Sequence, residues 1–418
     1  MSLWYSSHSY LYYISSFPIS QVLIGKFLRK GGLFLKIIGV ICEYNPLHLG
    51  HQKQLDRIRA EFGADSAIVC AMSGNFVQRG KPAILDKTLR AKAAILCGAD
   101  LVLELPVTAA LSSAEGFAAG GVRILSRMCD TLCFGAESAD RNALLATAQT
   151  LLSPEFPLLL CQELDAGKSF PAARQAALQH MGATADVLSQ PNDILAVEYC
   201  KAILAQNASM DIFPIHRGGN YHDKKADKEN PSATAVRSLL LGKQNWKPFV
   251  PECTQSLWES ASLHRLEAGE RAVLAKLRTM TDAEFEALPY GSEGLWRKLM
   301  HASRSCASLE DILTATKSKR YTRSRLDRMV MCAFLGITQE MLETDVPYTR
   351  VLAFNDKGRS ILKEAKTTNL YLNAGESCDD PYWELEKRCG DLYGLFSTAG
   401  PELPGLEEKR RIYYNNPV

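Results

Sequence analysis

What most constrains the fold is one join in the sequence. The apolar run Ile37–Cys42 stops at Glu-Tyr-Asn-Pro, and a helical pattern starts at Gly50. The run is short and rich in Ile and Val, so it reads as a buried strand. Pro46 bars its simple continuation as strand or helix. Leu55 and Ile58 are the first apolar positions of the helix that follows. His48 and His51 therefore sit where the first N–H groups of a helix lack partners within it. Such a terminus attracts phosphate through those donors and the helix dipole. Two imidazoles there either add donors to phosphate oxygens or merely cap the helix; the turn alone leaves both readings open.

The same alternation repeats downstream. "SAIVCAM" (66–72) is a second buried strand, ending in the glycine-punctuated loop "SGNFVQRGKPA". A helix follows with Leu85, Leu89, Ala93 and Leu96 on one face and Gly98 as its stop. "ADLVLELP" gives a third strand, "AEGFAAGGVRILSRM" a helix and "CDTLCFGAES" a fourth strand ending at Gly135. Strands separated by helices at crossover spacing predict an α/β fold, a parallel sheet covered on both faces. Ligands of such sheets lie beyond the carboxyl ends of the strands. The His turn, the 73–80 loop and the Gly135 loop all fall on that edge, which favours phosphate. Residues 139–190 read as a helical insertion. The chain returns with "PNDILAVEYCKAI", a capped helix, then "MDIFPIHRGGNYHD", a strand into a basic turn. In "SATAVRSLLL", Ser232 and Thr234 offer hydroxyls at a helix start, with Arg237 about one turn inside. The alternation stops near residue 250. That places an α/β unit at 36–250 and a second, mostly helical unit at 251–418.

Net charge is only +2 over 418 residues, so an argument for nucleic acid must rest on a local cluster. One exists. Lys317, Lys319, Arg320, Arg323, Arg325 and Arg328 place six basic residues in twelve positions against a single acid, Asp327. Tyr321 lies among them. Such a segment is either a solvated helix face or a track for phosphates with an aromatic for an unpaired base. The twelve cysteines lack Cys-x-x-Cys spacing. Cys129-x-x-x-Cys133 straddles an apolar stretch, which favours buried reduced thiols over zinc, as in a cytoplasmic protein. Residues 1–35 are aromatic and serine-rich, with no run near the roughly 18 apolar residues of a membrane span. Neither signal peptide nor anchor fits. Arg29-Lys30-Gly31-Gly32 reads as a translated ribosome-binding site, which would put the start at Leu35.

Together the motifs carry a resemblance. "EYNPLHLGH" resembles the His-x-Gly-His signature of the nucleotidylyltransferase superfamily, and "SATAVR" its second signature, Ser-x-Thr-x-x-Arg. With "MSGNFVQRG", "GADLVLELP", "CFGAES", "PNDILAVEY", "KSKRYTRSRL" and "RVLAFNDKG", the order resembles the tRNA(Met) cytidine acetate ligase family over roughly residues 36–415. The resemblance implies a Rossmann-like nucleotidylyltransferase domain and a helical tRNA-binding domain. It implies activation of acetate by ATP to acetyl-adenylate. The acetyl group then goes to N4 of the wobble cytidine of elongator tRNA(Met), giving N4-acetylcytidine.

Carried over by position, the ATP site comprises Ile41, Cys42, Glu43, Tyr44, Asn45, Pro46, Leu47, His48, Leu49, Gly50, His51, Gln52, Lys53 and Gln54, with Gly135, Asn192, Arg217, Ser232 and Thr234. His48, His51 and Arg237 are the expected catalytic donors. Many relatives have Phe at Leu47 and Asn at Leu49, but neither difference removes a donor that phosphate needs. Mg²⁺ is expected on the phosphates, held mostly by water and phosphate oxygens rather than by a protein metal site. Arg79 and Gln78 are candidates for acetate, Arg79 alternatively being a structural arginine of its loop. A small-molecule adenylyltransferase would not need the basic block. A non-catalytic RNA-binding protein would not need both signatures intact.

Overall fold

The computed structural model describes residues 36–182, 185–217, 227, 231–318, 320–346, 348–364, 370–371 and 380–416, with the dipeptides 29–30 and 33–34. The reading of residues 1–35 as a non-native extension falls, apart from those dipeptides, outside the described residues.

Five parallel strands form in the expected order of the chain: Ile37–Cys42, Ala67–Ser73, Leu101–Leu105, Thr131–Ala136 and Asp211–His216. The first strand lies in the middle. Ala67–Ser73 and then Leu101–Leu105 stack on one side of it, Thr131–Ala136 and then Asp211–His216 on the other. The chain thus reverses direction across the sheet at its first strand, and the crevice opens beyond Cys42. Pleating sends alternate residues to opposite cores. Ile38, Val40, Ile68 and Cys70 pack with Leu55 and Ile58 of helix Leu49–Phe62 and with Ala91 and Ala94 of helix Lys87–Leu96. Val69, Ala71, Leu101 and Leu103 face helices Ala114–Leu125 and Pro191–Ala205. Cys129 and Cys133 fall in opposite cores, both thiols pushed up by burial, so they form no metal pair.

The 139–190 insertion contains helices Arg141–Leu152, Phe156–Asp165 and Phe170–His180. Its own small core includes Phe156, Leu160, Ala173, Ala177 and Leu178. The second half is helical around Leu277, Phe285, Leu299, Ile312, Leu326 and Leu335.

The division expected at residue 250 does not separate two independent sheets or cores. Strand Thr349–Asn355 runs antiparallel against Leu101–Leu105, and Tyr413–Asn415 pairs beside it. A buried ion cluster crosses the same junction. Lys87 Nζ lies 2.5 Å from Glu104 Oε1 and 2.6 Å from Glu407 Oε1. Arg350 joins Glu407 and Glu104, and Arg410 joins Glu407 and Asp86.

Candidate active site

The His turn is a helix cap in which each ring uses one nitrogen. His48 is the N-cap of helix Leu49–Phe62. The Gly50 N–H donates to His48 Nδ1 at 3.1 Å, and the His48 N–H donates to His51 Nδ1 at 3.3 Å. The rings stack with centroids 3.8 Å apart. A nitrogen that accepts an N–H carries no proton, so each neutral ring holds its proton on Nε2. His48 is buried, and its Nε2 has no partner among the described residues. Burial, then Arg217 and Arg237, lower the His48 pKa to about 3. Burial, then His48 and Arg217, lower that of His51 well below its usual value. Capping and phosphate donation are therefore compatible: Nδ1 closes the helix, and Nε2–H remains a donor. Gly50 leaves room for the ring, since a Cβ there would lie 3.0 Å from His48 Cε1 and press against it.

Around the turn, most of the 41–54 segment is scaffold. Ile41 packs against Gly121, and Cys42, Tyr44, Pro46 and Leu47 are buried. The Tyr44 ring stands edge-on to His51 at 5.0 Å. Asn45 Oδ1 accepts from the Ile84 N–H at 2.8 Å. Gln52 donates to Asp56 and the Cys97 carbonyl, and Gln54 to Cys133 Sγ, so these amides are turned into the fold. Leu49 is half-buried and Lys53 exposed.

The second signature folds against the first. Ser232 caps helix Ala233–Leu241 by accepting the Ala235 N–H at 3.0 Å. Arg237 donates to the Asn45 carbonyl at 2.6 Å and to Thr234 Oγ1 at 3.1 Å. Near the end of the fourth strand, Gly135 lies against Arg217, where a Cβ would sit 3.6 Å from Cδ. Arg217 donates to Asn192 Oδ1 at 3.4 Å, and Asn192 Nδ2 to Glu137 Oε1 at 2.6 Å. The expected ATP residues from five separate stretches thus converge on one edge of the sheet.

The 73–80 loop is seated by a residue that the sequence reading missed. Arg90 is fully buried and donates to the carbonyls of Leu85 (2.9 Å), Ser73 (3.1 Å), Glu43 (2.6 Å) and Gly74. The available signal was a cation between Leu89 and Ala93 on an otherwise apolar face. The Gln78 N–H donates to Glu43 Oε1 at 2.8 Å, and Gln78 Nε2 to the Ser112 carbonyl at 3.4 Å. Arg79 is exposed at the tip.

The basic segment is less free than its composition suggests. Lys319 lies outside the described residues. Arg320 pairs with Glu293 at 3.0 Å, and Arg323 with Glu310 at 2.6 Å and Asp327 at 3.0 Å. Arg325 donates to the Tyr290 carbonyl and Ser292. Arg328 is buried over the Tyr290 ring and donates to the Gln78 carbonyl at 3.4 Å. Tyr321, expected to stand open to a base, is instead buried, with its hydroxyl donating to Glu293 at 2.7 Å. The carboxylates responsible, Glu293 and Glu310, lie outside the twelve-residue window. Lys317 and Arg320 keep exposed side chains.

Comparison with known proteins places the chain in a family. The family model for HIGH Nucleotidyl Transferase matches residues 35–402. The chain is 36% identical over 358 residues to a tRNA(Met) cytidine acetate ligase of Clostridium acetobutylicum, covering 80% of this chain and 89% of that one. It is 36% identical to the Acetivibrio thermocellus protein of the same name, covering 88% and 98%. Among solved structures, Thermotoga maritima TmcAL in its apo form superposes with a TM-score of 0.83 at 29% identity, over 91% of this chain and all of that one. The same protein bound with alpha-thio ATP gives 0.82 at 29% identity, with the same coverage. On sequence and fold together, the chain belongs to the tRNA(Met) cytidine acetate ligase family.

Proposed function

We propose that the chain activates acetate with ATP and transfers the acetyl group to N4 of the wobble cytidine of elongator tRNA(Met). The observation that carries the first step is the Nε2–H of His48, without a partner among the described residues, at the reversal point of the sheet. In this reading, ATP lies across that point, with adenosine toward Gly135 and Asn192 and phosphates on the His turn. An acetate oxygen attacks the α-phosphorus, and the bond to pyrophosphate breaks. Acetate is already ionised, so no base is needed. Charge grows on phosphate oxygens, and fixed donors there lower the barrier. Two neutral imidazoles give Nε2–H donors, while Arg217 and Arg237 give positive charge. Relatives bear the ligase name, and the solved neighbour with alpha-thio ATP supports nucleotide binding.

Mg²⁺ on the phosphates would neutralise charge on the leaving pyrophosphate. Such an ion would be held by phosphate oxygens and water; among the described residues no group of three or more His, Cys, Asp or Glu could hold a metal ion. Arg79 and Gln78 border the space for acetate. Lys317 and Arg320 are exposed cations available to tRNA, and the anticodon loop offers a base already accessible. No single helix among the described residues is long and apolar enough to cross a membrane. The reading places the chain in the cytoplasm, with tRNA.

The test is ATP–pyrophosphate exchange with acetate, with and without tRNA, followed by acetyl transfer. A small-molecule adenylyltransferase would not exchange with acetate. A non-catalytic RNA-binding protein would not exchange at all.

A further inference from the structure

The transfer half-reaction needs something that the donors above cannot supply. The exocyclic amine of cytosine is conjugated with its ring and weakly nucleophilic. As its nitrogen bonds to the acetyl carbon it becomes cationic and must lose a proton. His48 and His51 cannot take it: both Nδ1 atoms accept backbone N–H groups, and each Nε2 already carries a proton. The neighbouring carboxylates are engaged. Both oxygens of Glu137 accept from Asn192 and Asp193, and Asp193 accepts from the Ser138 N–H. Glu104 is buried between two cations, Lys87 Nζ at 2.5 Å from Oε1 and Arg350 Nη1 at 3.4 Å from Oε2.

Glu43 differs. It immediately follows the strand Ile37–Cys42, at the mouth of the crevice, and is half-buried. Arg90 Nη1 donates to both the Glu43 and Ser73 carbonyls, which fixes the ends of the two central strands side by side. The Gln78 N–H holds Glu43 Oε1 at 2.8 Å, and Oε2 has no hydrogen-bond partner among the described residues. Ser73 Oγ, at the end of the neighbouring strand, is buried and likewise has no partner among the described residues. One carboxylate oxygen is therefore anchored, and the other is left as an acceptor. It does not suit acetate, an anion. It suits the amine, the one reacting group with N–H bonds to offer and positive charge to develop.

We infer that Glu43 is the general base of acetyl transfer, an assignment that rests on the proposed ligase reading. The amine nitrogen attacks the acetyl carbonyl carbon and the C–N bond forms. The C–O bond to the adenylate breaks, its electron pair leaving on the AMP phosphate. One N–H proton passes to Glu43 Oε2 and on to water.

The test is Glu43→Gln, whose amide oxygen still accepts the Gln78 N–H but whose side chain takes no proton. Three rates are compared with the unaltered enzyme: acetate-dependent pyrophosphate exchange, capture of acetyl-adenylate by hydroxylamine, and single-turnover transfer to tRNA. Transfer should fall at least about a hundredfold further than the other two, in the range that loss of a general base produces. The acid limb of the transfer pH profile should also flatten. Transfer at the original rate, or equal loss of all three, would overturn the assignment. Absence of acetate-dependent exchange in the unaltered enzyme would instead overturn the ligase reading itself.

Discussion

At the scale of single residues, the site is defined by two histidines kept neutral. His51→Ala should lower acetate-dependent pyrophosphate exchange by roughly two orders of magnitude or more, as for a lost transition-state donor. Near-normal exchange in the folded variant would remove the imidazole from the mechanism. Neutrality also has a stability signature. His48 has an ordinary pKa of 6.5 but about 3 in the folded chain, so the unfolded chain binds the extra proton first. The stabilising contribution is full above about pH 6.5 and is lost as pH falls toward 3. Over that window it should cost about 1.4 kcal/mol per pH unit. Urea titrations between pH 7 and pH 4 should show this loss in the natural chain and less of it in His48→Asn. Parallel pH dependence of the two would contradict the assigned protonation.

At the scale of elements, two glycines separate positioning from folding. Gly50→Ala puts a methyl group against the His48 ring while improving helix propensity. Exchange should therefore fall about tenfold or more with thermal stability little changed, a dissociation that a purely structural glycine would not give. Gly80 has φ +72, and a Cβ there would lie 2.4 Å from the Arg328 backbone nitrogen. Gly80→Ala should cost about 2 kcal/mol in urea unfolding and unseat the 73–80 loop from helix Arg323–Leu335. These elements also mark what could be read in advance. The parallel strands and their helices were legible because buried runs and crossover spacing are local properties. The His turn was legible because a strand, a proline and a helix start stand within nineteen residues of one another. Arg90 was not, because its four acceptors are carbonyls, which no sequence pattern displays.

At the scale of the molecule, the junction between the halves is the part that the sequence displays least. Thr349–Asn355 is a lone apolar run among helices, so nothing near it reveals that its partner is Leu101–Leu105. The pairing within the basic block was hidden for the same reason, its neutralising acids Glu293 and Glu310 being remote in the chain. The junction makes its own prediction. Glu407 is buried between Lys87, Arg350 and Arg410, which hold its carboxyl at a pKa of about 2 despite burial. Glu407→Ala leaves those cations uncompensated and should cost about 3–5 kcal/mol, lowering the melting temperature of both halves together. Two separate transitions, with only the later one shifted, would show the halves to be independent. The shared strand also bears on how the protein is made. During synthesis Leu101–Leu105 leaves the ribosome long before residue 349 does, so the nascent chain carries an open strand edge through most of its translation. Such edges recruit strands from other chains. Slow synthesis or truncation before residue 349 should therefore yield aggregates, making ribosomal pace and chaperone supply the determinants of how much enzyme a cell obtains.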